Sequence, residues 1–455
     1  MLSLGESQNL FRCTIRTATG DVLLGLLRNH SCLDTAASSL DGASVVVWTK
    51  NPAEAAMALV ELDGIVGRLV LCPPGIGPDL LAHVMEIAEA NAVVSDQPRP
   101  DEAGAATWIR CQRDLQPAAR PARTRETEWV LLTSGTTGLP KLVAHTLASL
   151  TDAIRVEASP CMRCSMGCSS LVWSTFYDIR RYGGLQIFLR AALTGAPLVL
   201  PDSQEPVGDF LARAAACGIT HLSGTPSHWR AALMHPGAKS ISPRYVRLSG
   251  EIADQAILNN LSAAYPKAQV IHAFASTEAG VAFEVTDGLA GFPDHYIESL
   301  KGVEMKMEDG SMRLRSNRLA TRYLNHDARP LRSADGFVDT GDLVERRDGR
   351  YFFMGRRDGV INIGGFKVHP EEVEAVINRY PGVFVSLVRT RRSPITGAVV
   401  TADVALRSGE KGGPELAREL LGFCRSSLAG HKVPAVVKFV PQIAISETGK
   451  LIRNG

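Results

Sequence analysis

Residues 130–141 read Val-Leu-Leu-Thr-Ser-Gly-Thr-Thr-Gly-Leu-Pro-Lys. Three apolar residues run into a hydroxyl- and glycine-rich loop that closes on Lys141. Gly135 and Gly138 let the backbone approach an anion and adopt positive φ. Thr133, Ser134, Thr136 and Thr137 supply hydroxyl donors, and consecutive loop N–H groups can form an anion-binding concavity. Lys141 adds a point charge. The stretch reads as a phosphate grip following a strand. It is not a Walker A loop, because Pro140 precedes the lysine and Leu142 follows it.

Upstream, Ala43–Trp48 and Gly67–Cys72 read as short buried strands, with helical spacing over Pro52–Leu62 between them. A helix over Gly77–Ala92 leads to an Ala-Val-Val-Ser strand. Residues 97–126, rich in Pro and Arg, read as a linker around a short strand at Ala106–Cys111. Downstream, helices are expected at Thr146–Glu157, Gly184–Ala192, Phe210–Cys217 and Ala253–Tyr265, with strands at Pro197–Leu200, His221–Gly224, Val246–Leu248 and Val270–Phe274. This alternation predicts parallel α/β sheets. From about 297 to 354 the pattern changes to short strands, and Asp309-Gly310 and Asp348-Gly349 are hairpin signals. A boundary follows near Gly355–Gly359. The remainder reads as a small α+β unit, with helices from Pro370 and over Pro414–Ser426. The expected architecture is α/β: a large multi-subdomain N-terminal domain, 1–355, combining parallel sheets with an antiparallel subdomain, and a small mobile α+β C-terminal domain, 356–455.

Composition narrows the function. A chain of 455 residues has room for two or more domains. A net charge of +2 is too small to argue for nucleic acid or an anionic membrane. No run of about 18 apolar residues suggests a membrane span. The N-terminal Met-Leu-Ser-Leu-Gly-Glu lacks the basic-then-apolar layout of a signal peptide, which predicts a cytoplasmic protein. Nine cysteines in a chain this large read as reduced and mostly buried thiols. Cys161, Cys164 and Cys168 are spaced so that they could ligate a metal, or simply pack at a strand entrance.

Several separate stretches share one resemblance. Thr133–Lys141 resembles the phosphate loop of the acyl-adenylate-forming (ANL) superfamily, which includes acyl- and aryl-CoA synthetases and adenylation domains. Phe274-Ala275-Ser276-Thr277-Glu278 resembles its aromatic-x-Ser/Thr-Thr-Glu motif, and Thr340-Gly341-Asp342 its Thr-Gly-Asp motif. Gly355-Arg356-Arg357-Asp358 and Gly364-Gly365 resemble its hinge and following glycine loop. Gly449-Lys450-Leu-Ile-Arg453 resembles its catalytic lysine motif. Five motifs in family order, across roughly 127–453, carry far more weight than any one alone.

The resemblance implies an AMP-forming acid–thiol ligase that uses ATP and Mg²⁺ to make an acyl-adenylate and passes the acyl group to a thiol, most simply CoA. Such chemistry requires charge neutralisation at phosphate more than a covalent nucleophile. The resemblance makes Glu278 the Mg²⁺ ligand, and Thr277 a donor to the α-phosphate. Phe274 would stack on adenine, with Ser249, Gly250 and Glu251 lining the other side. Asp342, helped by Arg356, would accept from the ribose hydroxyls. Lys450 would bridge carboxylate and α-phosphate, and Asp358 would be the hinge. Gly364, Gly365, Phe366 and Lys367 would line the pantetheine entry.

Two departures from the family pattern stand out. Fewer than 130 residues precede the phosphate loop, so the N-terminal subdomain is expected to be trimmed relative to larger relatives. In the acyl-site stretch the expected histidine is missing. The chain has Trp173, Phe176, Tyr177, Asp178 and Tyr182, with Arg180 and Arg181 between. The aromatic residues favour an aryl or short flat acid over a long chain. Asp178 either holds a substrate amino group, pointing to an amino-aryl or other amino-bearing acid, or pairs with a neighbouring arginine. A carrier protein or a non-thiol nucleophile stands as an alternative acceptor, and a non-catalytic nucleotide-binding relative as an alternative class. The assembly, including a homodimer, stays open.

Overall fold

The computed structural model describes residues 3–101, 106–119, 122–133, 139–157, 171–325, 330–363, 366–393, 397–407, 409–446 and 449–451. Ser134–Gly138, Cys161, Cys164, Cys168, Gly364, Gly365 and Arg453 lie outside them. Two eight-stranded sheets dominate. In the first, Ser44–Val47 lies beside Arg68–Leu71 on one side and Ala92–Ser95 on the other, all parallel, with Glu128–Thr133 parallel to Arg68–Leu71. These strands read as unbroken apolar runs because helices cover the sheet. Pro52–Leu62 is a helix buried on every side.

The second sheet runs Gly280–Val285, Gln269–Ser276, Tyr245–Ser249, His221–Gly224, Trp173–Thr175, Leu198–Val199, Thr14–Thr17, Gly20–Leu23. Its interior pairs are parallel and both ends are antiparallel. The hairpin Thr14–Leu23 therefore belongs to the second sheet, not the first. Nothing in its local pattern foretold this, because the pairing of Ile15 with Leu198 spans most of the domain. Residues 107–117 form one long strand rather than the short one expected, since Thr107–Arg110 extends the parallel sheet and Cys111–Pro117 pairs with His30–Leu33.

A five-stranded antiparallel sheet holds Val303–Glu308, Ser311–Ser316, Val338–Arg347 and Arg350–Arg356. Its two hairpins turn where expected. Asp309 and Gly310 have φ of 52° and 73°, and Asp348 and Gly349 have 47° and 75°, the left-handed pair that a two-residue primed turn requires. Beyond Arg356 the chain builds a separate core around Val368, Val373, Ile377, Val388, Val404 and Leu420, between a three-stranded sheet and helices Pro370–Ile377 and Pro414–Ser427. No helix among the described residues is long and apolar enough to cross a membrane.

Candidate active site

The site forms where strand ends of both large sheets and the five-stranded sheet meet the C-terminal domain. Thr133 ends one strand and Lys141 starts its antiparallel neighbour, directly opposite. The phosphate loop is therefore the connection of a hairpin at the sheet's end. Asn325 clamps the returning strand: its Oδ1 accepts from the Leu142 N–H at 2.8 Å and its Nδ2 donates to the Pro140 carbonyl at 3.3 Å. The Lys141 ammonium lies 5.5 Å from the Tyr323 ring centre. The Tyr323 hydroxyl is 3.4 Å from Glu278 Oε1. Lys141 and Glu278 thus face each other across one tyrosine.

Thr277 and Glu278 follow the strand Gln269–Ser276, and Ser276 Oγ accepts the Ala279 N–H at 2.9 Å to fix the turn. His145, which the motif reading did not single out, holds this turn from below. Its Nε2 donates to the Thr277 carbonyl at 2.7 Å and its Nδ1 is 3.0 Å from Ser149 Oγ. The ring is fully buried, and that burial lowers its pKa to about 4. It is a neutral strut linking the phosphate-loop hairpin to the Thr277–Glu278 turn.

Asp342 and Arg356 are opposite partners on adjacent strands, at the end of the strand Arg350–Arg356. Lys450 is brought to the same place. Its ammonium is within electrostatic reach of Glu251, Arg356, Asp342 and Glu278. The side chain keeps contact with water, yet protein surrounds the amine on most sides, and this desolvation lowers its pKa while the carboxylates pull it back up. Asp342 is pushed up to about 6, chiefly by desolvation, against the stabilising charges of Arg356 and Lys450 and the Thr340 hydroxyl. Three carboxylates and two cations therefore converge from positions 251 to 450. Among the described residues no cluster of three or more His, Cys, Asp or Glu could hold a metal. A single carboxylate at Glu278 suits Mg²⁺, which takes most of its ligands from phosphate and water.

The lysine loop is docked, not free. The Leu451 N–H donates to Glu251 Oε1 at 3.1 Å, and Thr225 Oγ1 donates to the Gly449 carbonyl. Glu251 also accepts from the Ser227 N–H at 2.9 Å and its hydroxyl at 3.0 Å. Both Glu251 oxygens are thus hydrogen-bonded within the protein, one of them to the lysine loop. Ser249 and Gly250 stay at the strand end, Ser249 accepting from the Tyr177 hydroxyl at 2.6 Å through its carbonyl. Phe274 is half-buried near the end of the strand Gln269–Ser276. It stacks on Phe353 at 5.4 Å and Phe283 at 5.8 Å, tied into the core of the five-stranded sheet, with Ala275 packed on the large core.

The acyl-site stretch does not form one aromatic lining. Trp173, in the strand Trp173–Thr175, packs against His221 at 4.5 Å, whereas Phe176, just past the strand's end, packs against Phe210 and Trp229. Tyr177 and Tyr182 are buried, Tyr182 in the large core. Asp178 does not stand ready for a substrate amine. Arg180 donates to it at 2.7 Å from both its main-chain N–H and Nε, and at 2.5 Å from Nη2. Burial alone would raise its pKa, and the arginine overrides that and holds it low. Arg180 is itself buried and also donates to Thr49. Beside this stretch, sequence reading missed a buried ion pair, Arg247 Nε to Glu284 Oε1 at 2.8 Å, in the layer beneath Ser249.

On the C-terminal domain, Asp358 sits in the one-turn helix Arg357–Gly359 directly after the strand ending at Arg356. Phe366 is 58% exposed and stacks on His431 at 4.7 Å, and Lys367 is exposed beside it.

The sequence matches the family described as AMP-binding enzyme over residues 33–315 and the AMP-binding enzyme C-terminal domain over 372–450. It is 26% identical over 401 residues to the nonribosomal peptide synthetase CymA of Salinispora arenicola, matching 82% of this chain and 5% of that protein. It is 27% identical over 341 residues to a 2-succinylbenzoate–CoA ligase of Listeria monocytogenes, 71% of this chain and 68% of that one. The chain thus spans a small part of one relative and about two thirds of the other. The fold is shared with a benzoate CoA ligase from Burkholderia xenovorans, with a TM-score of 0.81 at 19% identity over 99% of both chains. With the motif order, the two-domain fold and these matches in agreement, the chain belongs to the AMP-binding enzyme family of the adenylate-forming superfamily.

Proposed function

We propose that this protein is an AMP-forming acid–thiol ligase. It activates a carboxylic acid with ATP as an acyl-adenylate and transfers the acyl group to CoA. The carrying observation is that the Lys450 loop docks on Glu251 and Thr225 beside Gly250, which sets the ammonium in the electrostatic field of Glu251, Asp342, Arg356 and Glu278. An ammonium there is positioned to neutralise charge as a carboxylate attacks the α-phosphate. Thr133 and Lys141 would hold the outgoing phosphates, together with Ser134, Gly135, Thr136, Thr137 and Gly138. Asp342 and Arg356 would hold the ribose, between Ser249-Gly250 and the Phe274 strand. Thr277, braced by His145, would face the α-phosphate. Glu278 would hold Mg²⁺, which supplies charge neutralisation to the phosphates when bound.

We place the domain boundary at 355/356 and the hinge at Asp358. Phe366 and Lys367, exposed on the C-terminal domain, would line the thiol's path after rotation. The acid would be small or aryl rather than long-chain, since the layer beneath Ser249 is built from Tyr177, Arg247, Glu284, Trp173 and His221 instead of aliphatic side chains. A carrier-protein thiol is the second reading, favoured by the match to a peptide synthetase. Pyrophosphate release against a panel of aryl, short-chain and long-chain acids tests the first step. Turnover of long-chain acids alone would reject the acid class. Single-turnover product analysis with CoA or a carrier protein as acceptor tests the second step.

A further inference from the structure

The turn Glu251–Asp254 receives two separate pieces of the C-terminal domain. Glu251 takes the Leu451 N–H beside the lysine. Three residues on, Asp254 Oδ2 accepts from Asn378 Nδ2 at 2.9 Å, at the end of the domain's first helix. Both Asp254 and Asn378 are nearly excluded from water. Asn378 is oriented by the Ser386 hydroxyl, which donates to its Oδ1 at 2.8 Å.

Each carboxylate also has partners within its own domain. Glu251 keeps both Ser227 groups. Asp254 keeps Arg230 at 2.6 Å and caps the helix Gln255–Ala264 through the Ile257 N–H at 2.9 Å. Losing the C-terminal domain would therefore leave Asp254 paired with Arg230 and Glu251 hydrogen-bonded to Ser227. A contact built this way can break and reform without reorganising the surface it leaves.

We propose that Glu251–Asp254 is a latch that holds the lysine-in pose: Glu251 and Asn378 are positioning residues for Lys450. Opening the latch is what the thiol-transfer pose requires. This rests on the proposed ligase reading, in which the lysine serves the first step only.

The test uses the full chain and two variants, Asn378→Ala and Glu251→Gln. ATP–pyrophosphate exchange with the best acid of the panel reports the first step, and CoA thioester formation from purified acyl-adenylate reports the second. A latch predicts exchange lowered about ten-fold per variant, the scale of one charge-assisted hydrogen bond. The second step should hold its rate or quicken, and melting temperatures should stay near that of the unaltered chain. Hydrogen exchange of the peptide spanning 443–451 supplies a readout free of activity. Asn378→Ala does not touch that tail, yet should deprotect its amides several-fold. Equal loss in both half-reactions, or unchanged tail protection, overturns the latch. If the unaltered chain exchanges with no acid, the ligase reading fails, and the tail protection still decides the latch.

Discussion

The main-chain N–H of Leu451 donates to the carboxylate of Glu251 at 3.1 Å, joining positions 200 residues apart across the domain seam. That bond places the neighbouring Lys450 among Asp342, Arg356 and Glu278. In the proposed ligase, the position of the lysine would thus rest on this contact across the seam.

Two lysines divide the proposed chemistry, and they should fail differently. Lys450→Ala should lower the adenylation rate by roughly 10²–10³-fold, the scale for removing one group aimed at developing charge. Lys141→Ala, on the phosphate-loop hairpin, should mainly raise the KM for ATP, by about ten-fold. Steady-state kinetics of pyrophosphate release check this, and equal defects in both parameters in both variants would contradict the division.

Gly449 is a position only glycine can fill. Its φ is +72°, and a Cβ built there would fall 1.8 Å from the His228 ring. Gly449→Ala should lower adenylation at least ten-fold, through a misplaced lysine loop and the left-handed backbone cost of about 1–2 kcal/mol. Because the loop is at the seam, the melting transition of the large domain should barely move. A large drop in melting temperature would mean the loop is part of the core.

Asp342 sets function against stability. Its pKa in the fold, about 6, lies above the ordinary carboxylate value, so the folded state binds this proton more tightly than the unfolded chain. Stability then falls as pH rises from about 4 to 6, by at most about 3 kcal/mol and less because water reaches the crevice. Asp342→Asn should raise the melting temperature at pH 7.5 while weakening ATP binding. ATP affinity of the unaltered chain should also decline as pH drops through 6. A melting temperature lower in the variant would reject this sign.

His145 and His221 predict acid lability. Burial lowers each to about 4 in the fold. Each is protonated in the unfolded chain below about 6.5, so stability is present above that pH and is lost as pH falls toward 4, by roughly 1.4 kcal/mol per unit per group. Urea unfolding at pH 7 and pH 5 should show this. His221→Phe, which keeps a ring against Trp173 and Tyr245, should flatten the dependence by one group's share.

Much of the fold was legible because its signals are local. The helix at Pro52–Leu62 and the strands at His221–Gly224 and Ser311–Ser316 fall where apolar spacing puts them. The two Asp-Gly hairpins turn by backbone preferences carried in two residues. Other elements were not legible. The hairpin Thr14–Leu23 gives no hint of its partner, and the helix Pro226–Met234 carries a weak apolar face that reads as loop. In the site, His145 was missed because a lone buried histidine has no motif. Asp178 was ambiguous because its choice between substrate and Arg180 is settled by distance.

The sequence by itself determined the family, the two-part α/β architecture and the residues able to handle phosphate and ribose, because hydroxyl, glycine, acid and lysine types recur in an ordered set of short motifs. Only the tertiary structure decided which of them meet. It joined Glu251 to the lysine loop, stacked Phe274 on Phe353, and packed Trp173 on His221 but Phe176 on Phe210. The physical reason is that hydrogen bonds and ring stacking act within a few ångströms, so partners 34 to 200 residues apart exist only after folding brings them into contact.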